Sequence, residues 1–223
     1  MITPAPYRRI EELPKVIPIF PLPGVLLLPR GKLPLNVFEP RYLDMTQEAI
    51  GSHRLIGMVQ PVDPQAPLDH PEVYRTGCAG RITTFAETDD GRYLITLAGV
   101  ARFEIERELP QEGRLHRRVE ANFERFGDDL AEPVDAKLDR VRLIPALKDY
   151  FQINGLTADW GSIERAADNH LVTCLAMICP FHPNEKQALL EYPNDSARAE
   201  AVITLLEMAV HEARATPPCA RRQ

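Results

Sequence analysis

Short apolar stretches and turn-forming residues alternate closely near the start of the chain. Between Ile17 and Tyr42, each run of apolar side chains is interrupted within a few positions by proline or glycine. Proline removes a backbone donor and glycine permits tight turns, so this pattern predicts short β-strands and excludes one long helix. The run ends in Glu39-Pro40-Arg41, where the fixed φ of proline suits the first turn of a helix.

Strand-like patterning continues to about residue 126. The helix that begins near Arg41 is expected to end at Gly51, and Asp90-Gly91 predicts a hairpin turn. Gly99 is expected to reverse the chain again, between two strands. Strict alternation after Gly99 predicts that Phe103 points inward and Arg102 outward. The predicted strands after the helix cover residues 54–60, 73–87, 92–98, 100–108 and 116–126.

The pattern changes after Gly127. An acidic linker spans residues 128–133, and helical periodicity follows it. Helices are predicted at 134–153, with a kink or break at Pro145, at 159–179, at 183–190, and from Asp195 or Ser196 onward. We therefore expect an α+β protein with a β-domain at 1–127, a helical domain at 134–214 and a frayed tail at 215–223.

Composition and charge limit the classes of partner. The 223 residues carry a formal net charge of −6, so there is no overall positive field of the kind that attracts nucleic-acid phosphates. No apolar run has the length of a membrane span, and the first residues lack a signal-peptide core. We therefore expect a cytoplasmic protein with reduced cysteines, no membrane partner and no nucleic-acid partner.

Several segments together resemble one known family. The run from Ile17 to Tyr42 closely resembles the opening of the Lon substrate-binding domain, which is the N-terminal domain of Lon proteases. Residues 77–82 resemble its glycine-bearing strand, 91–95 and 99–105 its paired strands with an Arg-Phe core, and 176–191 the segment that packs its last helices. The chain is identified as a member of this family in a stand-alone form, without the motor and peptidase domains.

The resemblance implies a fold and a function. The expected fold is a PUA-like β pseudo-barrel followed by a helical bundle. The residues that match the family motif are expected to be structural: Phe20, Pro21, Gly24, Pro29, Phe38, Glu39, Arg41, Tyr42, Gly80, Arg102 and Phe103. For Glu39 and Arg41, an active pair is the alternative to structural anchors.

The expected function is that of a non-catalytic binding module for unfolded or extended polypeptide, held at open strand edges and apolar grooves. The candidate binding residues are Leu26, Leu27, Leu35 and Val37, for which burial in the core is an equally good interpretation. RNA binding, by analogy with other PUA-like folds, and an adaptor role with a small-molecule pocket are the alternatives. A homodimer is possible.

Catalytic motifs are missing from the sequence. No Gly-x-x-x-x-Gly-Lys-Ser/Thr phosphate loop and no Gly-x-Ser-x-Gly elbow occurs. Cys78, between two glycines, is the cysteine best placed for exposure, but it lacks a recognisable His and acid partner. We therefore expect no enzymatic activity.

Two clusters of polar side chains could form a functional site, but each has a simpler structural interpretation. One cluster could supply zinc ligands, although its spacing is unusual and core packing is favoured, so no metal or other cofactor is expected. Its members are His170, Cys174, Cys179 and His182. The other cluster is basic and is interpreted as a solvated strand end. It comprises Arg114, His116, Arg117 and Arg118.

Overall fold

The structure, a computed structural model, describes residues 7–67, 70–133 and 137–215. Its elements confirm the predicted α+β class. The strands are β1 (Val16–Pro21), β2 (Lys32–Val37), β3 (Leu55–Val59), β4 (Thr76–Glu87), β5 (Tyr93–Leu109) and β6 (Arg117–Asn122). The helices are α1 (Pro40–Ile50), α2 (Arg140–Ile153), α3 (Trp160–Arg165), α4 (Asp168–Ile178), α5 (Pro183–Glu191) and α6 (Asp195–Ala215).

The six strands form one sheet that closes on itself. Their order is β2-β5-β4-β3-β1-β6, and β6 also pairs with β5. Five strands therefore make a closed ring, whereas β2 is attached outside it, along the first half of β5. Strands β1 and β3 are parallel, and the other named pairs are antiparallel. Closure pairs both sides of most of the ring, and among the described residues two free edges remain, one along β2 and one along residues 83–87 of β4, which extend beyond the pairing with β3.

Strand β5 is continuous, and the predicted reversal at Gly99 is wrong. The strand runs for 17 residues, and Gly99 lies in its interior. The loop before β2 crosses close to this point: a Cβ on Gly99 would lie 2.0 Å from the Leu28 carbonyl oxygen. The Gly99 amide donates to the Gly31 carbonyl at 2.8 Å, and the Arg30 amide donates to the Gly99 carbonyl at 2.9 Å. Glycine here permits a close approach of two backbones instead of a turn.

The ring encloses an apolar core centred on Phe103, which points inward as predicted. Its side chain is fully buried against residues of β1, β3 and β6, including Ile17 and Val119. Two glycines make room for the ring, because a Cβ on Gly57 or Gly77 would lie 2.7 Å from Phe103 Cζ.

Arg102 is buried, in contrast with the predicted outward position. The 3-10 segment Glu124–Leu130 covers the outer face of β5 at this point. Arg102 donates from Nε and Nη2 to the Asp129 carboxylate at 2.9 and 2.8 Å, and its guanidinium lies 4.4 Å from the Phe126 ring centroid. It also donates to the Leu190 carbonyl at 3.1 Å. The alternation pattern placed Arg102 on the outer face of β5 correctly, but it could not show that residues 124–130 cover this face.

The helices of the second unit differ in detail from the predicted ones. Helix α2 continues through Pro145 without a break, with Leu143 and Leu147 buried and Val141 exposed. The predicted helix at 159–179 is two helices, because Ala166 and Ala167 between them have extended backbone angles. No helix in the described ranges is long and apolar enough to cross a membrane.

Helix α5 belongs with the β-strands, in the first of two compact units. Residues 182–191 cluster with residues 1–133, and the second unit comprises residues 134–181 and 192–223. Two buried side chains hold α5 in place: Lys186 donates to the Gly24 carbonyl at 3.0 Å and Gln187 to the Thr76 carbonyl at 3.2 Å. This helix differs from the predicted division, which assigned it to the helical domain. The predicted frayed tail lies outside the described residues from position 216 onward.

Candidate functional site

Strand β2 exposes backbone hydrogen-bonding groups along one side. In the described part of the chain β2 pairs with β5 alone. In an antiparallel ladder, hydrogen-bonded residue pairs alternate with non-hydrogen-bonded pairs. Gly31 and Gly99 form a hydrogen-bonded pair, so residues 33, 35 and 37 of β2 also point their backbone groups toward β5. The backbone groups of Lys32, Pro34 and Asn36 therefore face away from β5. Pro34 has no N–H, so it fits an outward position without losing a ladder bond.

An open depression of about 470 Å³ lies beside this edge. Among its lining residues Leu94 is 45% exposed, whereas Phe85 pairs with the buried Ile95 and its side chain lies on the opposite face of the sheet. The register aligns Leu94 with Asn36 and Ala86 on one face of the sheet. The depression is lined by Pro34, Leu35, Asn36, Thr84, Phe85, Ala86, Leu94, Ile95 and Thr96. We call the free side of β2 together with this depression the β2 edge surface.

Three of the four predicted peptide-binding residues are wrong as exposed contacts. Leu26, Leu27 and Val37 are at most 2% exposed and belong to the core. Leu27 lies against Gly80, where a Cβ would lie 2.6 Å from Leu27 Cδ2. Leu35 alone lines the depression. Sequence reasoning missed the other lining residues. A signal was available, because the strands on either side of the 88–92 turn carry large apolar residues, Phe85 and Leu94, at exposed positions.

The motif residues at the start of α1 form a contact network. Phe20 and Tyr42 stack with ring centroids 4.1 Å apart, and the Tyr42 hydroxyl donates to the Pro21 carbonyl at 3.3 Å. Arg41 pairs with Glu39 at 2.8 Å and lies 4.5 Å from the Tyr42 ring centroid. Burial raises the pKa of Tyr42. These contacts fasten the first turn of α1 to β1.

The remaining motif residues lie in turns and at the end of β2. Gly24 has a φ of 71°, and its amide donates to the Gln60 side chain at 3.2 Å. Pro29 is buried in the loop that crosses Gly99. Phe38 follows β2 directly and is 60% exposed, with the Arg92 guanidinium 5.8 Å from its ring centroid.

The basic stretch before β6 is not a solvated strand end. The His116 side chain is fully buried, with Nδ1 2.8 Å from Asp44 and Nε2 3.6 Å from Glu48 of α1. Burial acts to raise the pKa of Asp44, but hydrogen bonds from His116 and the Leu115 amide outweigh it, so this pKa lies below its ordinary value. The stretch therefore ties α1 to the barrel.

Arg117 is also buried in an ion pair. It donates to the two carboxylate oxygens of Glu108 at 2.8 and 2.7 Å and to the Pro71 carbonyl at 2.8 Å. The hydrogen bonds from Arg117 lower the pKa of Glu108, which burial alone would raise. Bidentate geometry of this kind makes the stronger class of ion pair.

We expect the Arg117–Glu108 pair to make stability depend on acidity. The folded state favours the carboxylate, so the contribution of Glu108 is complete above the ordinary pKa of 4.5 and is lost as pH falls through the lower folded-state pKa. Glu108→Gln is therefore less stable than the wild type at neutral pH, and this difference shrinks on acidification. Denaturant unfolding at a series of pH values measures it.

The matched control is Glu87→Gln, which removes an exposed carboxylate with no ion pair in the described ranges. It should leave stability unchanged within about 0.5 kcal/mol. A Glu108→Gln variant that stays equally far below the wild type at every pH would contradict the prediction.

The cysteines do not form a site among the described residues. Cys78 is fully buried, contrary to its expected exposure, because it lies inside β4. Cys174 Sγ lies 3.5 Å from His170 Nε2, and burial raises the pKa of this thiol. Within the described ranges, no group of three or more His, Cys, Asp or Glu side chains could hold a metal ion. Cys219 lies outside them.

Comparison with known proteins gives one consistent family. Residues 16–208 match the model of the ATP-dependent protease La (LON) substrate-binding domain. Lon protease 2 of Myxococcus xanthus is 28% identical over 210 residues, which cover 88% of this chain and 24% of that protein. The Lon protease of Anaeromyxobacter dehalogenans is 24% identical over 204 residues, or 88% of this chain and 23% of that protein. The chain therefore spans about a quarter of the length of these relatives.

Solved structures show the same fold. A Lon N-terminal domain protein from Xanthomonas campestris superposes with a TM-score of 0.58 at 23% identity, covering 85% of this chain and 97% of that one. The N-terminal domain of a Mycobacterium avium complex Lon protease gives a TM-score of 0.55 at 15% identity, covering 86% and 98%.

Proposed function

Because this chain belongs to the ATP-dependent protease La (Lon) substrate-binding domain family, we propose that it binds extended segments of unfolded polypeptide at the β2 edge surface. The observation that carries the proposal is the free side of β2, next to a depression that exposes the apolar side chain of Leu94. The binding is non-catalytic in this proposal. The chain acts by holding a segment, since its sequence contains neither the phosphate loop nor the Gly-x-Ser-x-Gly elbow.

Strand addition explains why an unfolded segment is preferred. The outward side of β2 offers the N–H groups of Lys32 and Asn36 and the carbonyls of Lys32, Pro34 and Asn36. Each hydrogen bond contributes only about 0.5–1.5 kcal/mol net, so apolar contacts in the depression must add to the affinity. A folded protein has already paired its backbone groups and cannot supply such a strand.

Pro34 makes a second copy of β2 a poorer occupant than an unfolded segment. In a symmetric pair of β2 strands, each strand would lack a backbone N–H donor at Pro34. When another polypeptide pairs with β2, only β2 lacks this donor. Proline in an edge strand is a known protection against self-association through strand edges. The edge is therefore better suited to a foreign segment than to a homodimer.

A charge placed in the depression should weaken binding without unfolding the protein. Leu94→Glu puts a carboxylate where the segment would pack, and we expect affinity for an unfolded, carboxymethylated model protein to fall at least about tenfold. The melting temperature should stay near that of the wild type because Leu94 is 45% exposed. Fluorescence anisotropy and thermal unfolding are measured on the same samples.

The matched control is Leu115→Glu. Leu115 is 57% exposed and does not line the depression, so this variant should bind like the wild type. Leu27→Asp serves as the core comparison and should lower stability by several kcal/mol. Equal binding of folded and unfolded model proteins, or binding of single-stranded RNA alone, would overturn the proposal.

A peptide with every second backbone nitrogen methylated tests the binding mode. Methylation removes donors on one side of an extended strand and leaves the other side intact. Of the two possible methylated versions of one peptide, we expect one to lose binding and the other to retain it. Equal retention by both versions would exclude strand addition.

A further inference from the structure

Two basic residues lie in one row of the sheet, next to the row of Pro34, Thr96 and Thr84 in the depression. Ala98 of β5 pairs with Lys32 on one side and with Arg81 of β4 on the other. Residues in register share a face, so the two basic side chains lie on the same face, about 10 Å apart at their Cα atoms. Lys32 is exposed and Arg81 half-buried. Neither forms an ion pair with any residue that the structure describes.

Tyr7 is a titratable neighbour of Arg81. Burial raises the pKa of Tyr7, against the opposing effect of Arg81, so Tyr7 remains an uncharged phenol at neutral pH. Tyr7 therefore offers no negative charge to Arg81.

The neighbouring rows of the same face carry no charge. One row consists of Pro34, Thr96 and Thr84, and the next of Asn36, Leu94 and Ala86. Glu87 pairs with Tyr93, a buried position, and so belongs to the opposite face. An uncharged, partly apolar strip thus ends at two unneutralised cations, in a protein with a net charge of −6.

We propose that the β2 edge surface prefers extended apolar segments flanked by carboxylates, with a carboxylate held by Lys32 and Arg81. This inference rests on the proposed function. An acidic flank gains attraction at this end, whereas a basic flank is repelled, and both effects weaken as salt screens them. The site therefore discriminates between unfolded segments by their flanking charge as well as by their exposed apolar side chains.

Three blocked peptides with one shared apolar core test this preference. Their flanks at both ends are glutamate, glutamine or lysine, so the outcome does not depend on strand direction. We expect the wild type to bind the glutamate-flanked peptide most tightly, the glutamine-flanked peptide less tightly and the lysine-flanked peptide most weakly. At low salt the affinity for the glutamate-flanked peptide should exceed that for the glutamine-flanked peptide by about fivefold or more. This difference in affinity should disappear as salt is raised to about 0.5 M.

The double variant Lys32→Gln, Arg81→Gln should bind all three peptides with equal affinity. Lys15→Gln removes an exposed lysine that lies outside the surface and should keep the wild-type order. Equal affinities in the wild type, or an unchanged preference in the double variant, would overturn the charge preference while the glutamine-flanked peptide still supports the proposed function. Failure of every peptide to bind would instead overturn the proposed function itself.

Discussion

Gly99→Ala is expected to destabilise the first unit by at least about 3 kcal/mol. The new Cβ would lie 2.0 Å from the Leu28 carbonyl oxygen and 2.8 Å from its carbon, and both atoms are backbone. The loop cannot easily move away, since hydrogen bonds join Gly99 to Arg30 and Gly31. Denaturant unfolding measures the loss. Because these contacts place β2 on β5, we also expect this variant to lose peptide binding.

Gly51→Ala is the matched control for this substitution. Gly51 has a φ of −72°, and its added Cβ would lie 3.5 Å from the Gln47 carbonyl oxygen, an ordinary van der Waals contact. This variant should change stability by no more than about 1 kcal/mol, and a small gain is possible on entropic grounds. A Gly99→Ala protein as stable as Gly51→Ala would show that the crossing loop can shift freely.

Arg102→Ala is expected to destabilise the protein by about 3–5 kcal/mol. The substitution leaves the Asp129 side chain, only 10% exposed, with the Arg102 backbone amide but without its ion-pair partner, and it removes the guanidinium from the Phe126 ring. It also removes the donor to the Leu190 carbonyl, which helps to hold α5. Arg102→Lys should recover only part of the loss, because an ammonium cannot reproduce the bidentate contact. Chemical unfolding of both variants measures the difference.

An exposed ion pair of the same strand provides the control. Arg107 pairs with Glu120 at 2.5 Å, but its side chain is 66% exposed. Solvent screens such pairs, so Arg107→Ala should cost no more than about 1 kcal/mol. Similar losses for Arg102→Ala and Arg107→Ala would mean that burial of the Arg102 pair contributes nothing extra.

The sequence determined much of the fold without tertiary information. Proline and glycine spacing indicated short strands, because these residues restrict or free the backbone wherever they occur. Alternation gave the inward position of Phe103, and helical periodicity predicted the helix from Asp195 or Ser196 onward, where α6 lies. The 88–92 hairpin turn was also predictable, since Gly91 adopts a φ of 78° that glycine favours.

Only the tertiary structure decided which faces are covered. Alternation shows that two side chains lie on opposite faces, but not which distant segment lies on either face. Residues 124–130 bury Arg102, and Leu27 packs against Gly80 across a large separation in sequence. For the same reason, local sequence patterns could not identify the candidate site. Strand β2 has a free side because the ring closes through β6 and β5, and strand order is set by long-range pairing that no local pattern encodes.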